Sequence, residues 1–147
     1  MTKSRFCVTS VINEHKALLI AFVFMPSHLH LIINLSEGES ISDLMRDFKK
    51  YTSTKIRQQL ENDDRIKTVQ MLRKNATGKK QVFKLWMDRF DDLVITSVKT
   101  LRIKIEYIHD NPVRAGLVES AVDWKYSSAR NYLLGDHSLI YVVTDFC

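Results

Sequence analysis

Residues 17–34 restrict the fold more than any other stretch of this chain. ALLIAFVFM and HLHLIIN are two apolar, β-rich runs, and Pro26 and Ser27 lie between them. A proline inside a continuous ladder would remove a backbone donor, so the pattern predicts two strands joined by a tight hairpin. The longest apolar run, Ala17 to Met25, falls far short of the roughly 20 residues that a membrane-spanning helix needs. It follows no basic amino-terminal region and leads into no small-residue cleavage site, so no secretory signal is read and a cytoplasmic location is expected.

At 147 residues and 45% hydrophobic content the chain can bury one real core and is short for two, so one domain over residues 1–147 is expected. A formal charge of +5 permits an anionic partner without proving one. Cys7 and Cys147 are the only cysteines, which gives no disulfide framework and predicts two inert thiols in a reducing setting.

Before the hairpin, Phe6, Val8, Val11 and Ile12 form a weak helical pattern over residues 4–14. After it, SEGES is a turn, and Ser40 with Asp43 resembles a capping box that opens a helix from about Ile41 to Leu60. Its stripe is Ile41, Met45, Phe48, Thr52, Ile56 and Leu60. Residues 61–81 are polar with little periodicity and read as a loop; residues 82–95 read as a loop leading into a short strand near Trp86 to Phe90. Ser97 caps a helix, VKTLRIKIEYIHDN, which Pro112 is expected to end near Asn111. The rest carries helical stretches, a stop at Gly135 and a short apolar tail.

On a strand His28 and His30 point the same way and Leu29 the other. Two imidazoles at that spacing can bind one divalent cation if a third ligand arrives from elsewhere. The same spacing also fits two histidines on the solvated face of a half-buried sheet, which is commoner. In the later helix the apolar stripe is Val98, Leu101, Ile105 and Ile108, while Tyr107 shares another face with Ile103 and Asn111. Spacing alone leaves open whether that tyrosine and amide form a site or a plain helix end.

MPSHLHLI, FKKYTSTKI, RFDDLVI and EYIHDNPVRAGLVESAVDWKYSSARNYL together resemble the HUH-type single-tyrosine transposases, in their REP-associated branch. The resemblance covers about Leu18 to Leu133. It implies an α+β fold with a ferredoxin-like antiparallel sheet and helices on one face, its histidine hairpin at about 17–35 and its tyrosine helix at about 97–111. By the same resemblance His28, His30 and Asn111 are metal ligands and Tyr107 is the nucleophile. A phenol with a pKa of about 10 is a poor nucleophile at neutral pH, so such a site needs a divalent cation to polarise the phosphate. The implied cofactor is Mg²⁺ or Mn²⁺. The implied reaction is nicking and rejoining of single-stranded or hairpin DNA through a 5′-phosphotyrosine, in transposition or repeat mobilisation, with the protein on the nucleoid when it is bound.

Candidate contacts to the DNA backbone are Arg73, Lys74, Lys79, Lys80 and Lys84 in a run without acidic residues, the first long helix with Arg46, Lys49, Lys50, Lys55 and Arg57, diluted by Asp43 and Asp47, and Arg114. Trp86 and Trp124 suit core packing better than base stacking, Tyr51 suits half-buried packing, and His109 is expected to be exposed near its helix end. The chain departs from the family in offering only about 16 residues before its first strand. The usual first strand therefore looks absent, which would leave a sheet edge unpaired and suggests a homodimer joined there. Two other readings compete with the enzyme. One is a truncated, inactive DNA-binding relative; the other is a zinc hydrolase, which would need a carboxylate beside the histidines. Glu106 points about 100° from Tyr107 around the helix.

Overall fold

The computed structural model describes residues 3–76 and 82–145; Lys79, Lys80 and Cys147 lie outside them. The elements in chain order are α1 (Lys3–Glu14), β1 (Leu18–Phe24), β2 (Leu29–Asn34), α2 (Ile41–Asn62), α3 (Ile66–Lys74), α4 (Val98–Arg114), a 3₁₀ turn (Ala121–Asp123) and α5 (Ala129–Leu134). The fold is α+β, with one two-stranded antiparallel sheet among the described residues. The chain divides into two compact units, one of Met1–Glu14 and Gly38–Asp92, the other of His15–Glu37 and Leu93–Cys147.

In the second unit β1 pairs with β2 as predicted. Val23 faces His30 and Phe24 faces Leu29, and the Met25 N–H donates to the His28 carbonyl at 2.8 Å to close the turn. Pro26 sits in that turn, where its missing donor costs nothing. Leu19 to Val23 are all buried, the signature of a strand covered on both faces. Ile105 and Ile108 of α4 join Ile20, Ala21, Val23 and Ile32 in one core cluster. Each such side chain, fully buried, contributes about 1.5–3 kcal/mol.

The outer edge of β1, which a missing first strand was expected to leave bare, is occupied. Phe24 N–H donates to the Tyr126 carbonyl at 2.9 Å, Ser128 N–H to Phe22 at 2.9 Å and Val143 N–H to Leu19 at 2.9 Å. Residues 126–128 and the apolar tail therefore satisfy the backbone groups that would otherwise invite another strand. Gly135 caps α5 at φ 63°, a left-handed angle that suits glycine, as its stop signal implied.

Pro112 does not end α4 at Asn111. The helix runs to Arg114 with Pro112 inside it and buried. A proline there forfeits one bond to the carbonyl four residues back, and burial of its ring against the core offsets the loss. Val98, assigned to the apolar stripe, is exposed, so the buried face of α4 begins at Leu101.

In the first unit, the Ser40 side chain accepts from the Asp43 N–H at the start of α2, which extends to Asn62. Its buried residues are Leu44, Phe48 and Thr52, so the stripe shifts toward Leu44 from the predicted Ile41 and Met45. Residues 66–74, predicted as loop, form α3. Val69 supplies its buried anchor, and a nine-residue helix with one such anchor leaves too faint a period to read.

The strand predicted near Trp86 to Phe90 is absent; residues 82–92 are irregular. Their carbonyls face a cation instead of a ladder. Lys49 Nζ donates to the carbonyls of Met87 at 2.7 Å, Asp88 at 3.3 Å and Arg89 at 3.2 Å, which uses all three ammonium donors. Trp86 Nε1 donates to Thr52 Oγ1 at 2.9 Å, and Lys84 N–H donates to the Leu72 carbonyl at 3.0 Å.

Candidate active site

The hairpin and α4 bring His28, His30 and Tyr107 into one row of rings. The His28 and His30 centroids are 5.0 Å apart, nearly perpendicular at 81°. His30 and Tyr107 follow at 6.0 Å and 77°. His28 stands at the exposed end of the turn with its Nδ1 3.1 Å from Ser27 Oγ, so Nε2 is the nitrogen left to bind elsewhere. His30 lies in β2, half-buried. Desolvation, and then the neighbouring His28 charge, hold its pKa below the ordinary histidine value, which keeps the ring neutral with a free lone pair at pH 7.

Ser97 starts α4 by accepting from the Thr100 N–H at 3.1 Å. Three turns later Tyr107 projects off the core stripe and is 42% exposed. Asn111 Nδ2 donates to the Tyr107 carbonyl at 2.9 Å. That bond spends one of the two amide N–H donors on the helix and leaves the amide oxygen as a neutral acceptor. Two cations flank the phenol: Arg114 at 5.1 Å from the ring centroid and Lys104 at 5.8 Å. They give the tyrosine a positive surround of the kind that favours an incoming phosphate.

Among the described residues no three His, Cys, Asp or Glu side chains gather where they could share an ion. Two imidazoles, joined by an amide oxygen, would make an all-neutral donor set, and such a set would leave a divalent cation its full charge for a phosphate oxygen. The zinc hydrolase reading requires a carboxylate beside the two histidines, and among the described residues none joins them.

The remaining predicted residues divide. Arg114 is exposed at the tyrosine. Lys50 and Lys74 are exposed elsewhere, while Arg73 pairs with Glu61 at 3.1 Å and Lys84 with Asp88 at 2.9 Å. Lys49 donates to the three carbonyls of Met87, Asp88 and Arg89, so in this structure it holds the chain. Tyr51, Trp86 and Trp124 are half-buried, in keeping with packing.

His109, expected to be exposed, is buried at 8%. Its Nε2 lies 2.8 Å from Ser128 Oγ, which also accepts from the Phe22 N–H at 2.9 Å. Burial lowers its pKa to about 4, so it is a neutral structural group on the buried side of the tyrosine helix. Its place four residues beyond Ile105 on the helix is the signal that could have assigned it inward. Lys104 was also missed; a basic residue one turn before the tyrosine was the available cue.

The family model described as "Transposase IS200 like" matches residues 2–111. A putative REP-associated tyrosine transposase of Haemophilus influenzae is 32% identical over 74% of this chain and 57% of that protein. The REP-associated tyrosine transposase of Escherichia coli K12 is 27% identical over 84% of this chain and 61% of its own length. The chain thus spans about three-fifths of these curated relatives. A solved REP-associated tyrosine transposase bound to a REP hairpin superimposes with a TM-score of 0.64 at 25% identity, over 95% of this chain and 71% of the other. With Tyr107, Asn111 and the histidine hairpin all inside the matched span, the chain belongs to the IS200-like transposase family.

Proposed function

We propose that this chain cuts and rejoins single-stranded DNA at hairpin-forming repeats, with Tyr107 as the nucleophile, and that residues 1–147 act as one catalytic domain. The observation that carries the reading is the row of His28, His30 and Tyr107 rings at 5.0 and 6.0 Å, which puts a phenol in line with two imidazoles. The solved relative bound to a REP hairpin supports the choice of DNA.

In the forward step the Tyr107 oxygen forms a bond to phosphorus as the phosphorus–O3′ bond breaks. The phenol gives up its proton, and the leaving oxygen takes one up as a 3′-hydroxyl. One phosphodiester is exchanged for another, so the step reverses without ATP. His28, His30 and the Asn111 oxygen would hold a divalent cation, Mg²⁺ or Mn²⁺, whose charge would polarise the scissile phosphate. Arg114 and Lys104 orient the phenol and draw the strand's phosphates toward it.

A homodimer joined along the sheet remains part of the proposal. Residues 126–128 and Val143 take the outer edge of β1, so among the described residues the outer edge of β2 is the one left to join. A clean monomer by size-exclusion chromatography with light scattering would remove the dimer. Among the described residues no helix is long and apolar enough to cross a membrane. The work on DNA is assigned to the cytoplasm, at the nucleoid.

The test is a denaturing gel of the protein with labelled single-stranded hairpin DNA from its own flanking sequence, in Mn²⁺ or EDTA. A protein-linked band that needs metal and vanishes in Tyr107→Phe is the expected result. No band, with the same DNA still bound, would leave the inactive DNA-binding relative as the reading.

A further inference from the structure

The first unit contains a cleft that the tyrosine chemistry does not use. It lies between α2 and residues 82–90 and encloses about 610 Å³, within the range of about 300–1,000 Å³ usual for ligand sites. Its two walls differ in chemistry. On α2, Arg46, Lys50 and Arg57 fall within about 40° of one another around the helix and about 6 and 10 Å apart along it. Across from them stand Trp86, Met87 and Phe90.

Two of the three cations on this wall are not spent on internal pairing among the described residues. Arg46 is held by Asp43 and by Asp47 at 3.1 Å, but no carboxylate among the described residues pairs with Lys50 or Arg57. Arg57 Nε is buried with no hydrogen-bond partner among the described residues, an uncommon state for a charged group. Opposite it, the Trp86 ring is fixed by its bond to Thr52 and by Phe48 at 5.7 Å, while Met87 is 78% exposed. Lys49 holds the backbone of this wall, so the cleft is preformed.

Unpaired cations on one side and a fixed aromatic with an exposed apolar neighbour on the other match a ligand with phosphates on one flank and a flat ring on the other. We propose that this cleft binds an unpaired stretch of the DNA strand, with phosphates on Lys50 and Arg57 and a base against Trp86 and Met87. The choice of DNA rests on the proposed function; the recognition of a nucleotide strand rests on the cleft. Base stacking is tolerant of sequence and phosphate contact is blind to it, so the cleft holds the strand without choosing the target.

The test is fluorescence anisotropy of a labelled twelve-residue oligothymidylate with the full chain, repeated over a series of salt concentrations. Lys50→Gln combined with Arg57→Gln is expected to weaken binding about tenfold or more and to lower the salt slope by about 1.4, as two lost single-strand phosphate contacts should. Trp86→Leu is expected to weaken binding about fivefold or more with the slope unchanged. Circular dichroism melts report folding. If the double variant misfolds, the exposed Lys50→Gln alone should still lower the slope by about 0.7. Binding and slope unchanged in these variants would overturn the proposal, as would polyglutamate displacing the oligonucleotide as well as unlabelled oligothymidylate does. Tyr107→Phe run in parallel separates the two readings. Absence of the covalent adduct in the wild type defeats the nuclease and leaves the cleft standing, while an adduct with unaffected cleft variants defeats the cleft alone.

Discussion

In the hairpin and α4 the side chains of His30, Tyr107 and Asn111 ride on regular backbone, and His28 stands one residue before β2. Residue spacing alone puts His28 and His30 on one face of the hairpin and Asn111 one turn beyond Tyr107. The segment Val82–Asp92 has no such frame. Its shape comes from single long-range bonds, the Lys49 ammonium to three carbonyls and the Trp86 indole to Thr52, 34 residues away in sequence. A repeating ladder tolerates loss of one member, whereas a segment hung on one cation does not. Chemistry that needs fixed geometry therefore sits well on the first kind of scaffold, and contact with a strand of variable sequence on the second.

The largest expected effect lies on the regular side. His30→Ala should lower nicking by on the order of 100-fold or more, since several kcal/mol of charge stabilisation depend on the ligand set. Its melting temperature should stay close to wild type because the ring is only half-buried. A loss smaller than about threefold would remove His30 from the metal site. On the irregular side the order reverses, with stability affected first. Lys49→Met should cost about 2 kcal/mol in denaturant unfolding and expose residues 82–92 to protease, as three carbonyls lose a charged donor. A change below about 0.5 kcal/mol would mean that the segment holds its shape by other means.

Legibility in the sequence follows the same division. The hairpin, the Ser40 and Ser97 caps and the face shared by Tyr107 and Asn111 all express local rules of period and capping, and each stands where those rules put it. The errors involve partners far along the chain. Trp86 to Phe90 has strand-like composition, but its carbonyls find Lys49 instead of a neighbouring strand. His109 reads as a polar helix end, yet Ser128 waits 19 residues on to bond it in the core. The outer edge of β1 looks unpaired until Tyr126, Ser128 and Val143, more than 100 residues away, bond to it. Local pattern shows which residues share a face, the family resemblance supplied the roles expected of His28, His30, Tyr107 and Asn111, and their surroundings rest on distant contacts that no window displays.

The smallest effect tests whether the segment that closes β1 behaves like the regular side. After α5, Arg130 Nε donates to Asp136 Oδ2 at 3.0 Å, and Asp136 Oδ1 accepts from the Ser138 N–H at 2.9 Å. Hydrogen bonds from Ser138, then from Arg130, lower the Asp136 pKa to about 2 from the ordinary 3.8. The folded-state value lies below the unfolded one, so the unfolded chain takes up the proton first as pH falls. The carboxylate's contribution is therefore complete above about pH 4 and is lost on acidification through about pH 2. Asp136→Asn should melt slightly earlier than wild type at pH 6, and the gap should close as both are titrated toward pH 2. A gap that persists at the acid end would show that the asparagine disturbs the turn itself. No gap at any pH would make the join between α5 and the apolar tail independent of this charge, leaving Asn131, whose Nδ2 donates to the Ile140 carbonyl at 2.8 Å, to hold the tail that covers β1.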